Sequence, residues 1–79
     1  MHLPGHTLYY YDSCPYCQRV LRFMQANDLE CDMRCTLEPG IRDELVAIGG
    51  KPQVPCLVID GAPLYESLDI IAYLKAKVG

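Results

Sequence analysis

The sequence predicts an α/β domain with the element order β-α-β-α-β-β-α, and three observations carry that prediction. Apolar residues switch along the chain from short β-branched and aromatic runs to stripes at helical spacing. Run, stripe and run succeed one another in the first half, as in a βαβ unit whose strands lie parallel across a right-handed crossover. Near the end, Asp60-Gly61 separates two short runs and marks an antiparallel hairpin. The sum is a four-stranded mixed sheet flanked by helices.

Each element has its own local reason. Thr7 to Tyr11 is β-branched and aromatic and suits a strand, with the tyrosines at 9–11 alternating between its faces. Pro15 fits the first turn of a helix, where its missing N–H costs nothing, and this puts Cys14 at or just before the helix start. Val20, Leu21, Phe23 and Met24 form the apolar stripe, and Asn27-Asp28 supplies a stop. Cys31 to Cys35 reads as a second strand. Ile41, Leu45 and Ile48 share a helical face between Pro39 and Gly49-Gly50, while Pro52 and Pro55 bar a helix from Lys51 to Cys56. Cys56 to Ile59 and Ala62 to Tyr65 are the hairpin strands. Ser67 is placed to cap a last helix with Leu68, Ile71, Leu74 and Val78 inward and Lys75 and Lys77 at its negative end.

The 79 residues suffice for a single domain, 1–79, with one modest core. No apolar run approaches a membrane span and the start lacks a basic head with an apolar stretch, so a soluble cytoplasmic protein without membrane partners is expected. A net charge of −3 with seven scattered Lys and Arg argues against nucleic acid. His2 and His6 read as a frayed N-terminus rather than a metal site. A monomer is expected.

Five cysteines are many for this length, and their number is odd. In a reducing compartment they point to metal, redox chemistry or packing rather than a disulfide framework. Cys14-Pro-Tyr-Cys17 is the pair that invites chemistry. A thiol attacks a disulfide only as thiolate, and the unpaired N–H groups of a helix start stabilise that anion, bringing such thiols to a pKa of roughly 3.5–7.5. Cys17, one turn in, is more buried and more protonated, so Cys14 attacks and Cys17 resolves. Zinc is the competing use, since Cys31 and Cys35 complete a set of four. A helix and a strand separate the two pairs, whereas zinc ribbons place both on tight turns. Cys31, Cys35 and Cys56 read as packing residues, with Cys56 the best accessory thiol and Cys35 the most open to oxidation.

"CPYC" opening a helix, "VPCLVIDG" and "YESLDIIAYL" together resemble the glutaredoxins of dithiol type from about Thr7 onward. The likeness is strongest to bacterial glutaredoxins whose N-terminal domain is similar to that of glutathione transferases. The resemblance implies a thioredoxin-like fold and a glutathione-dependent thiol–disulfide oxidoreductase, with glutathione as co-substrate, no bound cofactor, no metal, and glutathionylated or disulfide-containing proteins as partners. It implies Cys14 and Cys17 as catalytic residues. It also implies a cis proline at Pro55, exposing the backbone of Val54 to an extended peptide. Glu66 and Ser67 are implied for the γ-glutamyl end of glutathione, Lys51 for its glycyl carboxylate, and Tyr16 beside its sulfur. Gln53 stands where many members have threonine. Tyr11 stands where a lysine is common, which removes one cation from beside the thiolate. Neither the helical domain of transferase-like members nor a second-substrate pocket of transferase type is expected. An iron–sulfur or zinc carrier, or a glutathione-binding module with little turnover, are the alternatives. Pro15 weighs against the cluster.

Overall fold

The computed structural model describes residues 1–78. Its elements run β1 (His2–Tyr10), α1 (Pro15–Ala26), β2 (Glu30–Cys35), α2 (Ile41–Gly49), β3 (Cys56–Ile59), β4 (Ala62–Tyr65) and α3 (Ser67–Val78). The sheet order is β2-β1-β3-β4. β1 pairs parallel with β2 and antiparallel with β3, and β3 pairs antiparallel with β4. This is the thioredoxin-like α/β architecture expected from the sequence.

Alternation along β1 and β3 divides the interior between the two faces of the sheet. Leu8 and Leu57 face α1 and α3, joining Leu3, Val20, Met24, Leu29, Ile70 and Leu74. Tyr9, Cys56 and Val58 face α2 and pack with Leu45. Each fully buried aliphatic side chain contributes roughly 1.5–3 kcal/mol of transfer free energy, so the larger first cluster holds most of the hydrophobic stabilisation. Among the described residues no helix is long and apolar enough to cross a membrane.

The helix ends follow the local chemistry. Pro15 opens α1 and Cys14 is its N-cap, while Asn27 closes it with its side-chain amide donating to Phe23 O at 2.9 Å. Gly50, at φ 83, ends α2 in the left-handed conformation and returns its N–H to Val46 O at 2.8 Å.

Several expectations are corrected. The first strand starts at His2, not Thr7, because the N-terminal residues are tied in: Glu30 N–H donates to Met1 O at 2.8 Å. His6 is accordingly not frayed but buried. Its Nδ1 donates to Pro4 O at 2.8 Å and its Nε2 lies 2.7 Å from the Tyr73 hydroxyl. In α3 Leu74 is inward as expected and Ile71 packs partly against the core, but the other buried aliphatic is Ile70, and Leu68 is 67 % exposed with Val78 also outside. Ser67 is the first residue of the helix and is itself buried, so the inward face runs through Ser67, Ile70 and Leu74. Glu66, at φ 74, takes the cap position, its carbonyl accepting from Ile70 N–H at 3.0 Å. Ile48, expected inward, lies largely at the surface, as do most residues of β2, an edge strand.

Candidate functional site

Topology gathers the chemically active residues at one end of the sheet. β1 ends there and delivers Cys14 to the start of α1. Because β3 runs antiparallel, with Cys56 opposite Tyr9, its entrance segment carrying Val54 and Pro55 lies at the same end. Tyr65 is opposite Cys56 in β4, so Glu66, Ser67 and the start of α3 arrive there too. Two helix N-termini therefore face the same patch of surface.

At α1 the Cys17 N–H donates to Cys14 Sγ at 3.4 Å. Burial alone would push the Cys14 thiol up. It is outweighed by donors to the thiolate: the Cys17 N–H, the Cys17 thiol, the Tyr16 N–H and the Tyr11 hydroxyl, and the net shift is downward. Cys17 moves the other way. Burial, first, and then the charge on Cys14 push it up to about 12, against a lowering contribution from the Tyr11 backbone. Cys14 is only 4 % exposed and Cys17 is fully buried, so an incoming disulfide meets Cys14 first. Iodoacetamide is therefore expected to label Cys14 below the ordinary thiol range while Cys17 stays unmodified. Peptide mass spectrometry against pH checks this, and preferential labelling of Cys17 at pH 6 would reverse the two roles.

Tyr11 acts directly on the thiolate. Where a lysine would have supplied charge, its hydroxyl supplies a hydrogen bond to the Cys14 sulfur, and its own pKa is raised chiefly by the charge on Cys14.

The second half of the patch is built around Tyr65, which the sequence did not single out although it directly precedes Glu66-Ser67. Its hydroxyl donates to Lys51 O at 3.0 Å, and Lys51 Nζ lies 4.5 Å from the centre of its ring. Gly49 makes room for that ring, since a Cβ there would run into the hydroxyl and stand 2.9 Å from Cζ. Gln53 Nε2 donates to Glu66 Oε1 at 3.3 Å, tying the approach to β3 to the start of α3. Glu66 holds a positive φ that non-glycine residues seldom adopt, a kind of outlier that collects at ligand sites.

The structure thus brings Lys51, Gln53, Glu66 and Ser67 into one cradle, with the Val54–Pro55 peptide, which is cis, beside it. Lys51 and Glu66 are exposed, Gln53 and Val54 half-buried, Pro55 and Ser67 buried. Tyr16 is 58 % exposed next to Cys14, with Arg19 Cζ 5.6 Å from its ring centre. Cys56 does not join them. It is buried on the α2 face, where burial pushes its thiol up despite help from the Tyr65 hydroxyl. Among the described residues no three His, Cys, Asp or Glu side chains converge as metal ligands, and Cys31 and Cys35 do not complete a four-cysteine set with the Cys14 pair. A hollow of about 450 Å³ between Tyr9, Asp32, Arg34 and Glu44 is lined by none of these site residues.

Solved structures carry the same fold. Glutathione transferase E6 from Drosophila melanogaster is 28 % identical with a TM-score of 0.75, over 94 % of this chain and 35 % of its own. An epsilon-class glutathione S-transferase from the housefly Musca domestica is 26 % identical with a TM-score of 0.78, over 94 % and 35 %. Glutathione transferase Omega 3C from Trametes versicolor, at 21 % identity, TM-score 0.80 and coverage of 95 % and 34 %, shares the fold. The chain spans about a third of the length of these relatives. No curated protein matches it significantly. Residues 8–79 match the family described as glutathione S-transferase, N-terminal domain, so the chain belongs to that family.

Proposed function

We propose that the chain is a glutathione-dependent thiol–disulfide oxidoreductase of the dithiol glutaredoxin kind, acting on glutathionylated or disulfide-containing proteins in the cytoplasm. The observation that carries this reading is geometric: Cys14 caps α1 with its Sγ accepting the Cys17 N–H at 3.4 Å, while Cys17 is fully buried one turn in, so the two thiols are pushed in opposite directions, Cys14 down and Cys17 up. A structural pair has no need of that asymmetry. An exchange pair does, because one sulfur must attack as the anion while the other holds its proton until it is wanted.

The Cys14 thiolate attacks the glutathionyl sulfur of a mixed disulfide. The new S–S bond forms as the old one breaks, and the substrate leaves as thiolate. Helix N–H groups that stabilised the attacking anion also stabilise Cys14 when it is expelled in the next step. That step is attack on the glutathionyl sulfur by a second glutathione, giving glutathione disulfide. With an internal protein disulfide, Cys17 attacks Cys14 instead. Bonding Cys14 removes the negative charge and the hydrogen bond that help hold the Cys17 proton, so the resolving thiol becomes easier to ionise once it is required.

Glutathione is a tripeptide with a cationic end and two carboxylates, and the cradle offers a match. Glu66 faces the ammonium, the N-terminal turn of α3 a carboxylate, Lys51 the other carboxylate, and the Val54 backbone the extended peptide. The test is reduction of a small disulfide in the presence of glutathione, glutathione reductase and NADPH. Turnover that depends on Cys14 supports the reading, and a Cys14→Ser rate equal to wild type refutes it. In the same assay Lys51→Ala with Glu66→Gln is expected to raise the glutathione concentration needed for half-maximal rate by at least about tenfold, since a charge-assisted bond is worth about 1.5–3 kcal/mol. Ser67 is left intact because it is buried and its truncation would disturb packing. An unchanged glutathione dependence removes Lys51 and Glu66 from the site.

A further inference from the structure

β2 forms one edge of the sheet, and its outer side is unpaired among the described residues. Glu30 and Thr36 turn their N–H groups to β1, donating to Met1 O and Tyr10 O at 2.8 Å each. Strand alternation therefore turns the N–H and C=O of Cys31, Met33 and Cys35 outward. The opposite edge, β4, contains Pro63, which has no N–H to give. β2 contains neither proline nor lysine, the common guards of an edge, and its charges alternate in sign at Asp32 and Arg34.

We propose that β2 pairs antiparallel with β2 of a second copy of this chain, in the register that sets Met33 opposite its own counterpart. Outward-facing residues must meet one another for the ladder to form, which leaves few registers. Those that set Asp32 or Arg34 against itself bring like charges to non-hydrogen-bonded positions, where Cα atoms are about 4.5 Å apart. The register centred on Met33 sets Asp32 against Arg34 of the second copy, and two-fold symmetry repeats the pair. Arg34 already gives Nε and Nη2 to Glu44, at 3.2 and 2.7 Å, and meets the Tyr9 hydroxyl, and a guanidinium with five N–H donors keeps others for Asp32 of the other copy.

The other face of the ribbon favours the same partner. Met33 is 40 % exposed, beside a hollow of about 240 Å³ lined by Leu21, Met24, Leu29 and Cys31. Met33 of the second copy extends the apolar cover over that hollow. The pairing is short, so the contact belongs with small, transient interfaces, and the monomer expected from the sequence is the dilute form.

The register supplies its own probe, because it sets Cys31 against Cys35 of the second copy. Such a hydrogen-bonded pair has Cα atoms about 5.5 Å apart, within disulfide reach. In protein carrying Cys14→Ser and Cys17→Ser, one sample receives Cys31→Ser and another Cys35→Ser. Diamide is the oxidant, taking up two electrons and two protons for each disulfide formed. Mixing the two samples is expected to give at least about tenfold more covalent dimer than either alone, because only the mixed pair has facing thiols. Trypsin should release that link as residues 23–34 joined to 35–42. No dimer in the mixture, or as much in either sample alone, overturns the register. Sedimentation of the reduced wild type should show mass rising with concentration, and Asp32→Arg, which sets a second cation against Arg34, should abolish the rise. A rise that survives Asp32→Arg overturns the charge argument. Both readouts are independent of glutathione chemistry, so their failure is separable from failure of the oxidoreductase reading.

Discussion

Cys17→Ser is expected to keep most deglutathionylation and to lose nearly all reduction of internal protein disulfides, whereas Cys14→Ser loses both. The difference follows from who performs the second attack. Glutathione bound to Cys14 can be removed by an external glutathione, so the first route needs one thiolate. A protein bound to Cys14 is released by the tethered Cys17, and an attack within one helical turn carries a large effective concentration. Losing it should slow that route by at least about a hundredfold. The variants are read by two assays, release of glutathione from a glutathionylated protein and reduction of a protein disulfide. If Cys17→Ser loses deglutathionylation as completely as Cys14→Ser, the single-thiol route is wrong.

Leu57→Ala should give the largest loss of stability. Leu57 is fully buried in β3, opposite Leu8 in the central pair of strands, and packs under both α1 and α3. Truncating such a residue costs about 2–5 kcal/mol, because the cavity adds to the lost transfer term. For a chain of this size that corresponds to a fall in Tm on the order of 10–30 °C. Thermal unfolding followed by circular dichroism measures it. A shift of only a few degrees would mean that the two helices close over the cavity.

The order of elements was legible because strand and helix periods alternate cleanly and because Pro15, Asn27 and Asp60-Gly61 punctuate them. What was hidden depended on phase and on distant partners. On α3 Leu74 and, in part, Ile71 were placed correctly, but at the ends of the face Val78 lies outside and Leu68 stood in for Ile70. Nothing local distinguishes them, since both are aliphatic. His6 looked idle because its partner, Tyr73, is at the other end of the chain. Cys14 and Cys17 could be ranked from the helix start alone, the one field that sequence spacing encodes. The Tyr11 hydroxyl could not be counted, because its use depends on where the turn before α1 directs it. Tyr65 escaped for the same reason: its contact with Lys51 is made across a turn rather than along an element.

The meeting of Gly49 and Tyr65 also has a historical consequence. Any side chain at 49 strikes the tyrosine ring, and the ring's hydroxyl is what holds the Lys51 backbone. The two positions therefore do not vary independently. A chain that first exchanges Tyr65 for a smaller residue opens the space and can then accept alanine at 49. A chain that takes the steps in reverse must pass through a collision. The effects of the two changes are non-additive by construction, as expected for residues in direct contact. Drift at this corner is directional: the order of substitution, and not only their sum, decides which descendants keep a folded cradle.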